Sequence, residues 1–168
     1  LDITRDRGYV EMQKLLEANF ASVQGASPKG EAIAAAIRER DLPKVRRLLD
    51  ASPELLHAGD GRSNQPIHWA VMTRQIDIIN ELLALGENID AKRSDGGRPI
   101  QLTNGDYHYR GWRDLPKDVT TTPGEVLAHL RACGAYVDIC TAAHTGDLAR
   151  VQELLDEDQS LANRVSDY

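Results

Sequence analysis

The chain has 168 residues, of which 41% are apolar and 5% aromatic, enough for one folded unit with a sizeable aliphatic core. Its formal net charge is −6 and its estimated pI is 5.3. No run of Lys and Arg exceeds two residues, so the composition argues against a nucleic-acid backbone as partner. The apolar runs are far shorter than a membrane span, so we expect no membrane insertion.

The cysteine content and the first residue indicate the context of the chain. Two cysteines make no disulfide framework and suit a reducing compartment, so we expect a cytoplasmic protein. The start shows no charged-then-apolar leader of the kind that directs secretion. Because Leu1 is not an initiator Met, we expect the natural start to lie upstream.

Residues 1–60 predict two helix pairs. Residues 1–20 carry the apolar stripe of a helix, and residues 21–30 hold the small and helix-breaking residues of a loop. A second pair follows, with an Ala-rich helix over 31–39 and another helix over 42–50. The segment Ala51-Ser52-Pro53 then breaks the helical pattern.

Residues 65–92 hold the clearest motif. The segment Gln-Pro-Ile-His at 65–68 opens a helix at Pro66. A second helix follows over an apolar stripe of Ile76, Ile79, Leu82 and Leu83, and we expect Gly86 to end it. These segments resemble the ankyrin repeat, whose signature is Thr-Pro-Leu-His followed by Leu-Leu-x-x-Gly-Ala. Pro66-Ile67 recurs as Pro99-Ile100 after 33 residues, the period of that family.

The resemblance implies an all-α ankyrin-repeat solenoid of stacked antiparallel helix pairs with short β-hairpin or turn connections. It also implies that His68 holds the turn and the helix together through hydrogen bonds. We interpret residues 1–168 as a single multi-repeat array of the bacterial type, and we expect the protein to extend beyond both ends because solenoids need polar caps. The predicted copies are approximately 1–28 (partial), 29–60, 61–92, 93–138 and 139–168 (partial).

The copy at 93–138 departs from the pattern. From the Ile to the helix-end Gly, the copy at 61–92 spans 19 residues and this one spans 34, so about fifteen residues are inserted. We place this insertion at residues 104–122 and expect helical spacing to resume at Gly124.

The copy at 139–168 mirrors the copy at 29–60. Ile33 and Ile139, like Asp41 and Asp147, are 106 residues apart. Both aspartates precede the pattern Leu-x-x-Val-x-x-Leu-Leu-Asp, which indicates internal duplication.

The insertion concentrates three of the chain's eight Phe, Trp and Tyr residues, namely Tyr107, Tyr109 and Trp112. Arg and aromatic side chains dominate interface energetics. The same rings also have the size to fill a gap between two helix pairs. The sequence leaves binding and packing open for each ring.

Partner contacts in ankyrin repeats come from the hairpin tips and the exposed side of the first helices. Carried over by position and joined to the insertion, this implies one set of partner-binding candidates: Arg38, Glu39, Arg62, Asn64, Met72, Thr73, Arg93, Asp95, Asp106, Tyr107, Tyr109, Trp112, His144 and Thr145.

Two helical pairs spaced i, i+4, His129 with Cys133 and Cys140 with His144, supply donors that suit zinc. The spacing between the pairs matches no common zinc module. We therefore predict no metal site and interpret the cysteines as two unrelated small residues.

A catalytic interpretation would use Asp106, His108, Asp114 and Asp118. No nucleophile motif, phosphate loop or metal-protease helix accompanies them. We therefore expect no enzyme, no catalytic residue and no cofactor. The favoured interpretation is a non-catalytic protein–protein interaction scaffold that binds through its concave face, its hairpin tips and residues 104–122. The alternatives are a recruiting or regulatory segment of a larger enzyme, and a small-ligand or metal site under the insertion.

Overall fold

A computed structural model describes residues 7–12, 14 and 28–165. Within those ranges the secondary structure is helical, with an isolated antiparallel bridge between Gly105 and Arg110 and no β-strand. Most of the predicted copy at 1–28 lies outside the described residues. The α-helices are α1 Pro28–Arg38, α2 Leu42–Ala51, α3 Pro66–Met72, α4 Ile76–Ala84, α5 Gly111–Asp114, α6 Pro123–Ala132, α7 Ile139–Thr145 and α8 Leu148–Glu157.

Short 3₁₀ helices lie at Pro53–His57, Pro99–Leu102 and Gln159–Asn163, and residues 10–12 and 14 are also helical. The chain divides into two compact units, Leu1–Pro66 and Ile67–Tyr168. The boundary falls at the first residue of α3, which is described with the second unit.

In the first unit, α1 packs on α2 and on the 3₁₀ helix Pro53–His57. Its core is aliphatic, as the composition predicts. The turn after the 3₁₀ helix is closed by the Asp60 carboxylate, which accepts hydrogen bonds from the N–H groups of Arg62 (2.8 Å) and Asn64 (2.9 Å). The buried apolar side chains of this unit are Ile33, Ala34, Ala36, Ile37, Val45, Leu49, Leu55 and Leu56.

The second unit repeats the pattern of two short helices joined by a turn. In α4 the buried side chains are Ile78, Ile79 and Leu82, whereas Ile76 and Leu83 of the predicted stripe are only half-buried. Gly86 follows α4 with a φ of +93°, the left-handed conformation expected after a helix. Helix α6 begins at Pro123, one residue before the predicted restart of helical spacing.

His68 is buried and does what the resemblance implies. Its Nε2 lies 3.0 Å from the carbonyl oxygen of Ala91 and 3.3 Å from that of Gly97. An N–H at Nε2 therefore donates to the backbone of the turn that follows α4. This ties the start of α3 to the exit of the same helix pair.

Aspartates cap the second helix of both copies predicted to be duplicates. Asp41 accepts a hydrogen bond from the N–H of Lys44 (2.9 Å), and Asp147 accepts one from the N–H of Arg150 (3.2 Å). Each satisfies a backbone donor that a helix leaves unpaired in its first turn. The two equivalent sequence positions therefore have the same structural use.

Gly30→Ala should destabilise the first unit. Gly30 lies in α1, and a Cβ at this position would lie 2.1 Å from the carbonyl oxygen of Gly59. Ala improves helix propensity by at most about 1 kcal/mol. We expect the steric clash to outweigh this gain and to lower the free energy of unfolding by about 1–3 kcal/mol, measured by urea denaturation.

Gly61→Ala is the matched control in the same unit. Its Cβ would meet only the Oε1 of Glu31 at 3.4 Å, and that flexible side chain has room to adjust. We expect a change within about 0.5 kcal/mol. Equal stability of the two variants would contradict the close approach of Gly30 to Gly59.

Candidate functional site

Residues 104–122, which the sequence predicts to be an insertion and which are called the insertion below, begin with a tight turn. The N–H of Asp106 donates to the carbonyl oxygen of Tyr109 (2.8 Å), and the N–H of Gly111 donates to that of Asn104 (3.0 Å). Gly105 has a φ of +84°, and a Cβ there would lie 1.9 Å from the Tyr109 oxygen. Glycine is therefore required for this turn to close.

A buried ion pair fixes the turn to the segment that follows α4. The Nη1 of Arg93 lies 2.7 Å from the Oδ2 of Asp106, and the exposed fractions of the two side chains are 4% and 7%. Arg93 also donates from Nε (3.1 Å) and Nη2 (2.6 Å) to the carboxylate of Asp95. One guanidinium thus joins two carboxylates. It holds Asp95 in the bidentate geometry that Arg favours and bonds Asp106 through Nη1.

The other carboxylate oxygen of Asp106 organises the insertion itself. Oδ1 accepts hydrogen bonds from the backbone N–H groups of His108 and Tyr109, each at 2.9 Å. Burial by itself raises the pKa of Asp106, but these N–H groups and the Arg93 guanidinium outweigh it and hold the pKa below its ordinary value of 3.8. The ionised form of Asp106 therefore stabilises the folded state.

Tyr109 packs inward. Its ring meets the buried ring of Trp69 edge to face, with centroids 5.4 Å apart and an interplanar angle of 83°. Beside it, the guanidinium of Arg74 approaches Gly111 so closely that a Cβ on that glycine would lie 2.5 Å from Nη2. Tyr109 and Arg74 thus occupy the space beneath the insertion.

Tyr107 and Trp112 point outward, with exposed fractions of 80% and 81%. The Tyr107 ring contacts His108 edge to face at 5.4 Å. The backbone that carries the two rings is held by Arg113, which donates from Nη2 to the carbonyl oxygen of His108 (2.8 Å) and pairs with Asp114. Asp114 in turn accepts the N–H of Arg110 at 2.7 Å.

Five of the predicted partner-binding residues are buried, and their role in binding stays a prediction. Met72 belongs to the core, and Thr73 donates from its hydroxyl to the carbonyl oxygen of Trp69 (2.6 Å). Asn64 closes the Asp60 turn, while Arg93 and Asp106 form the ion pair. The four polar residues among these five thus bond internally.

The other nine predicted residues keep accessible surface, and their role in binding stays a prediction. Those that are exposed are Glu39, Arg62, Asp95, Tyr107, Trp112 and His144, and those that are half-buried are Arg38, Tyr109 and Thr145. Of these residues, Tyr107, Tyr109 and Trp112 belong to the insertion. Asp95 is joined to it through Arg93, which bonds both Asp95 and Asp106.

The two His–Cys pairs have different surroundings. His129 lies 2.8 Å from the Oδ1 of Asn80 and 3.6 Å from the sulfur of Cys133. The thiol of Cys140 instead donates to the carbonyl oxygen of Arg164 at 3.7 Å and lines a cavity of about 100 Å³ beside Arg98 and Tyr136. In the described part of the chain, no three His, Cys, Asp or Glu side chains are grouped to hold a metal ion.

Arg74 is the residue of this site that the sequence pattern missed. It lies two positions before α4, where it marks only a break between two helices. Gly111 is 37 positions further along the chain, and no periodicity relates a helix end to an inserted loop. Only the folded chain places its guanidinium under the insertion.

The helix pairs, their capping aspartates and the turn held by His68 define the class of protein, which is all-α and built from helix pairs joined by short turns. Residues 63–94 match the family model of the ankyrin repeat. That match covers one predicted copy, so the further copies of the array and the status of residues 104–122 as an insertion stay predictions.

The chain is similar to segments of longer proteins. It is 33% identical over 73 residues to the probable E3 ubiquitin-protein ligase XBOS33 of Oryza sativa subsp. japonica, which covers 43% of this chain and 14% of that protein. It is 28% identical over 98 residues to the palmitoyltransferase akr1 of Aspergillus oryzae, in an alignment that covers 58% of this chain and 13% of that protein. It is 33% identical over 73 residues to the probable E3 ubiquitin-protein ligase XBOS32 of Oryza sativa subsp. japonica, in an alignment that covers 43% of this chain and 15% of that protein.

The alignments thus span 13–15% of the length of these curated relatives. Across the described ranges, every helix falls short of the length and apolarity needed to cross a membrane.

Asp106→Asn should loosen the insertion. The substitution removes the negative charge that Arg93 meets in a buried site, while Asp95 still pairs with that guanidinium. We expect the free energy of unfolding at neutral pH to fall by about 1–3 kcal/mol, measured by urea denaturation. Asp114→Asn, at an exposed pair in the same loop, is the control and should cost less. A larger loss from the control would contradict the importance of the buried pair.

The destabilisation caused by Asp106→Asn should shrink in acid. The folded-state pKa of Asp106 lies below 3.8, so its ionised form contributes full stability above about pH 5 and loses that contribution as the pH falls through the folded pKa. The wild type should therefore approach the variant in stability as the pH is lowered past 3.8. A constant difference across this range, measured by denaturation at each pH, would rule out Asp106 as the titrating group.

Proposed function

We propose that this chain is a non-catalytic, cytoplasmic protein–protein interaction module that binds a protein partner through the insertion, the hairpin tips and the concave face of its repeats. Ankyrin repeats are binding modules whose stacked units present extended surfaces, and residues 63–94 match that family. The observation that carries the proposal is the outward position of Tyr107 and Trp112 on an internally fixed loop.

The energetics of exposure support a binding role for these two rings. Single exposed apolar residues are ordinary on protein surfaces. Here two of the chain's eight Phe, Trp and Tyr residues lie five positions apart, each about four-fifths exposed. Burying Trp and Tyr at an interface is among the largest contributions that a side chain makes to binding.

The rigidity of the insertion supports the same proposal. Its turn is closed by the Asp106 carboxylate, the Arg93 guanidinium and the backbone bonds of residues 104–111. Association pays for ordering any loop that is flexible in the free protein. A loop ordered before binding avoids much of that cost, so the rings contribute more of their burial energy to affinity.

The bonding of two acidic groups of the insertion, Asp106 and Asp114, supports a non-catalytic role. Asp106 is engaged by Arg93, His108 and Tyr109, and Asp114 by Arg113 and Arg110. A general base needs a lone pair available to the proton that it abstracts. The space that a small ligand would need beneath the loop is occupied by Tyr109 and Arg74.

A second candidate function is that of a recruiting or regulatory segment of a larger enzyme. It is favoured by the curated relatives, which are named as probable ubiquitin ligases and a palmitoyltransferase and which the chain matches over only 13–15% of their length. Sequencing the transcript that encodes this chain tests it. An open reading frame without a catalytic domain would remove this candidate.

The Tyr107→Ala, Trp112→Ala double variant tests the primary proposal. We expect partner capture to fall at least tenfold, because both rings are available to a partner, while the thermal midpoint stays close to that of the wild type. The measurement is quantitative affinity capture from the native proteome, followed by mass spectrometry.

Tyr109→Ala is the matched control from the same loop. Its ring packs on Trp69, so we expect loss of stability rather than selective loss of a partner. Undiminished capture of every partner by the double variant would remove the insertion from the interface.

A further inference from the structure

Arg74 is a partly buried cation without a carboxylate partner among the described residues. Its Nη1 donates a hydrogen bond to the carbonyl oxygen of Thr121 at 3.4 Å, at the long end of the range, and its Nε is buried with no acceptor. A guanidinium that loses water without gaining an anion is left at a cost. This cost falls when an anion reaches it.

Other arginines of the second unit are paired with carboxylates of the same unit. Arg93, Arg98 and Arg113 each meet an aspartate within 3.3 Å. Arg110 resembles Arg74 instead, because Asp114 accepts its backbone N–H, and its guanidinium meets no carboxylate in the part of the chain described. Two arginines of the second unit thus carry positive charge that the neighbouring acidic groups leave uncompensated.

The segment 110–112 brings these charges beside an exposed ring. Gly111 lies against the guanidinium of Arg74, and the absence of a side chain on this buried glycine permits the approach. Arg110 and Trp112 flank the glycine, and Trp112 is 81% exposed. The surface of Arg74, Arg110 and Trp112, here called the 74/110/112 surface, therefore joins two cations to one large aromatic group.

We propose that the 74/110/112 surface binds an acidic segment of a protein partner, with Asp or Glu carboxylates on the two guanidinium groups and an apolar side chain on Trp112. This rests on the proposed function and specifies the chemistry of the partner. Guanidinium groups bind carboxylates through short charge-assisted hydrogen bonds, and Arg with Trp is a common pairing at interface centres.

The net charge of −6 does not exclude an acidic partner segment. At physiological ionic strength, exposed charges more than about 8 Å apart are largely screened from each other. A carboxylate at the 74/110/112 surface therefore interacts mainly with the two nearby arginines, while the remaining acidic surface slows its approach.

The test uses fluorescence anisotropy with short labelled peptides made of Asp, Glu, Leu and Ser in shuffled order. A matched set carries Asn and Gln in place of Asp and Glu. We expect the full chain to prefer the acidic set and to bind it more weakly as salt is raised. Arg74→Gln and Arg110→Gln should each reduce that affinity about tenfold, whereas Arg131→Gln, at an exposed arginine of α6 that pairs with Asp147, should stay within about twofold.

Circular dichroism and thermal unfolding show whether each variant is folded. Arg110→Gln keeps the test decisive if Arg74→Gln is unstable, because the Arg110 side chain is not part of the core. Equal binding of the acidic and amide peptides overturns the proposal, as does equal affinity of Arg110→Gln and Arg131→Gln for the acidic set.

Different results would overturn the acidic-segment proposal and the proposed function. If no peptide binds while partner capture still depends on Tyr107 and Trp112, the acidic-segment proposal is overturned and the proposed function stands. If the aromatic double variant also captures every partner normally, the proposed function is overturned as well.

Discussion

The buried ion pair between Arg93 and Asp106 is the constraint on which the rest of the insertion depends. Its two residues come from the turn after α4 and from the start of the inserted loop, so the pair joins the segments on either side of the 3₁₀ helix Pro99–Leu102. The net stability of a buried pair is often small, because desolvation offsets the attraction between its charges. Its stronger effect is geometric, since Asp106 can bond Arg93, His108 and Tyr109 together in only a narrow range of positions.

That geometry divides the aromatic residues of the insertion. Asp106 fixes the backbone so that Tyr109 turns toward Trp69, while Tyr107 and Trp112 turn toward solvent. The sequence left packing and binding open for all three rings, and the structure assigns packing to Tyr109. Pattern alone could not make this assignment, because the partner of Tyr109 lies forty residues away in the preceding copy.

Local patterns predicted the helices well. A helix-ending residue acts on its own turn, so Gly86 was identifiable from neighbouring residues alone. The sequence matched Asp41 with Asp147, and the structure shows that both are caps. The start of α1 was less predictable, because its first residues lack an apolar stripe and lie three positions before the predicted Glu31. The candidate site was predictable only in composition, since the position of Arg74 under Gly111 is a long-range contact.

Five of the candidates transferred by position are buried in the free chain, where internal bonding holds the polar ones. A turn residue can face a partner only if its polar groups are not needed inside the protein. Arg93 and Asp106 illustrate the opposite case, in which side chains expected at the surface are consumed in holding a loop. When the polar residues of a turn are bonded internally, recognition is left to the side chains of other residues. In this protein these are the rings of Tyr107 and Trp112, whose backbone the ion pair supports, and the uncompensated cations Arg74 and Arg110.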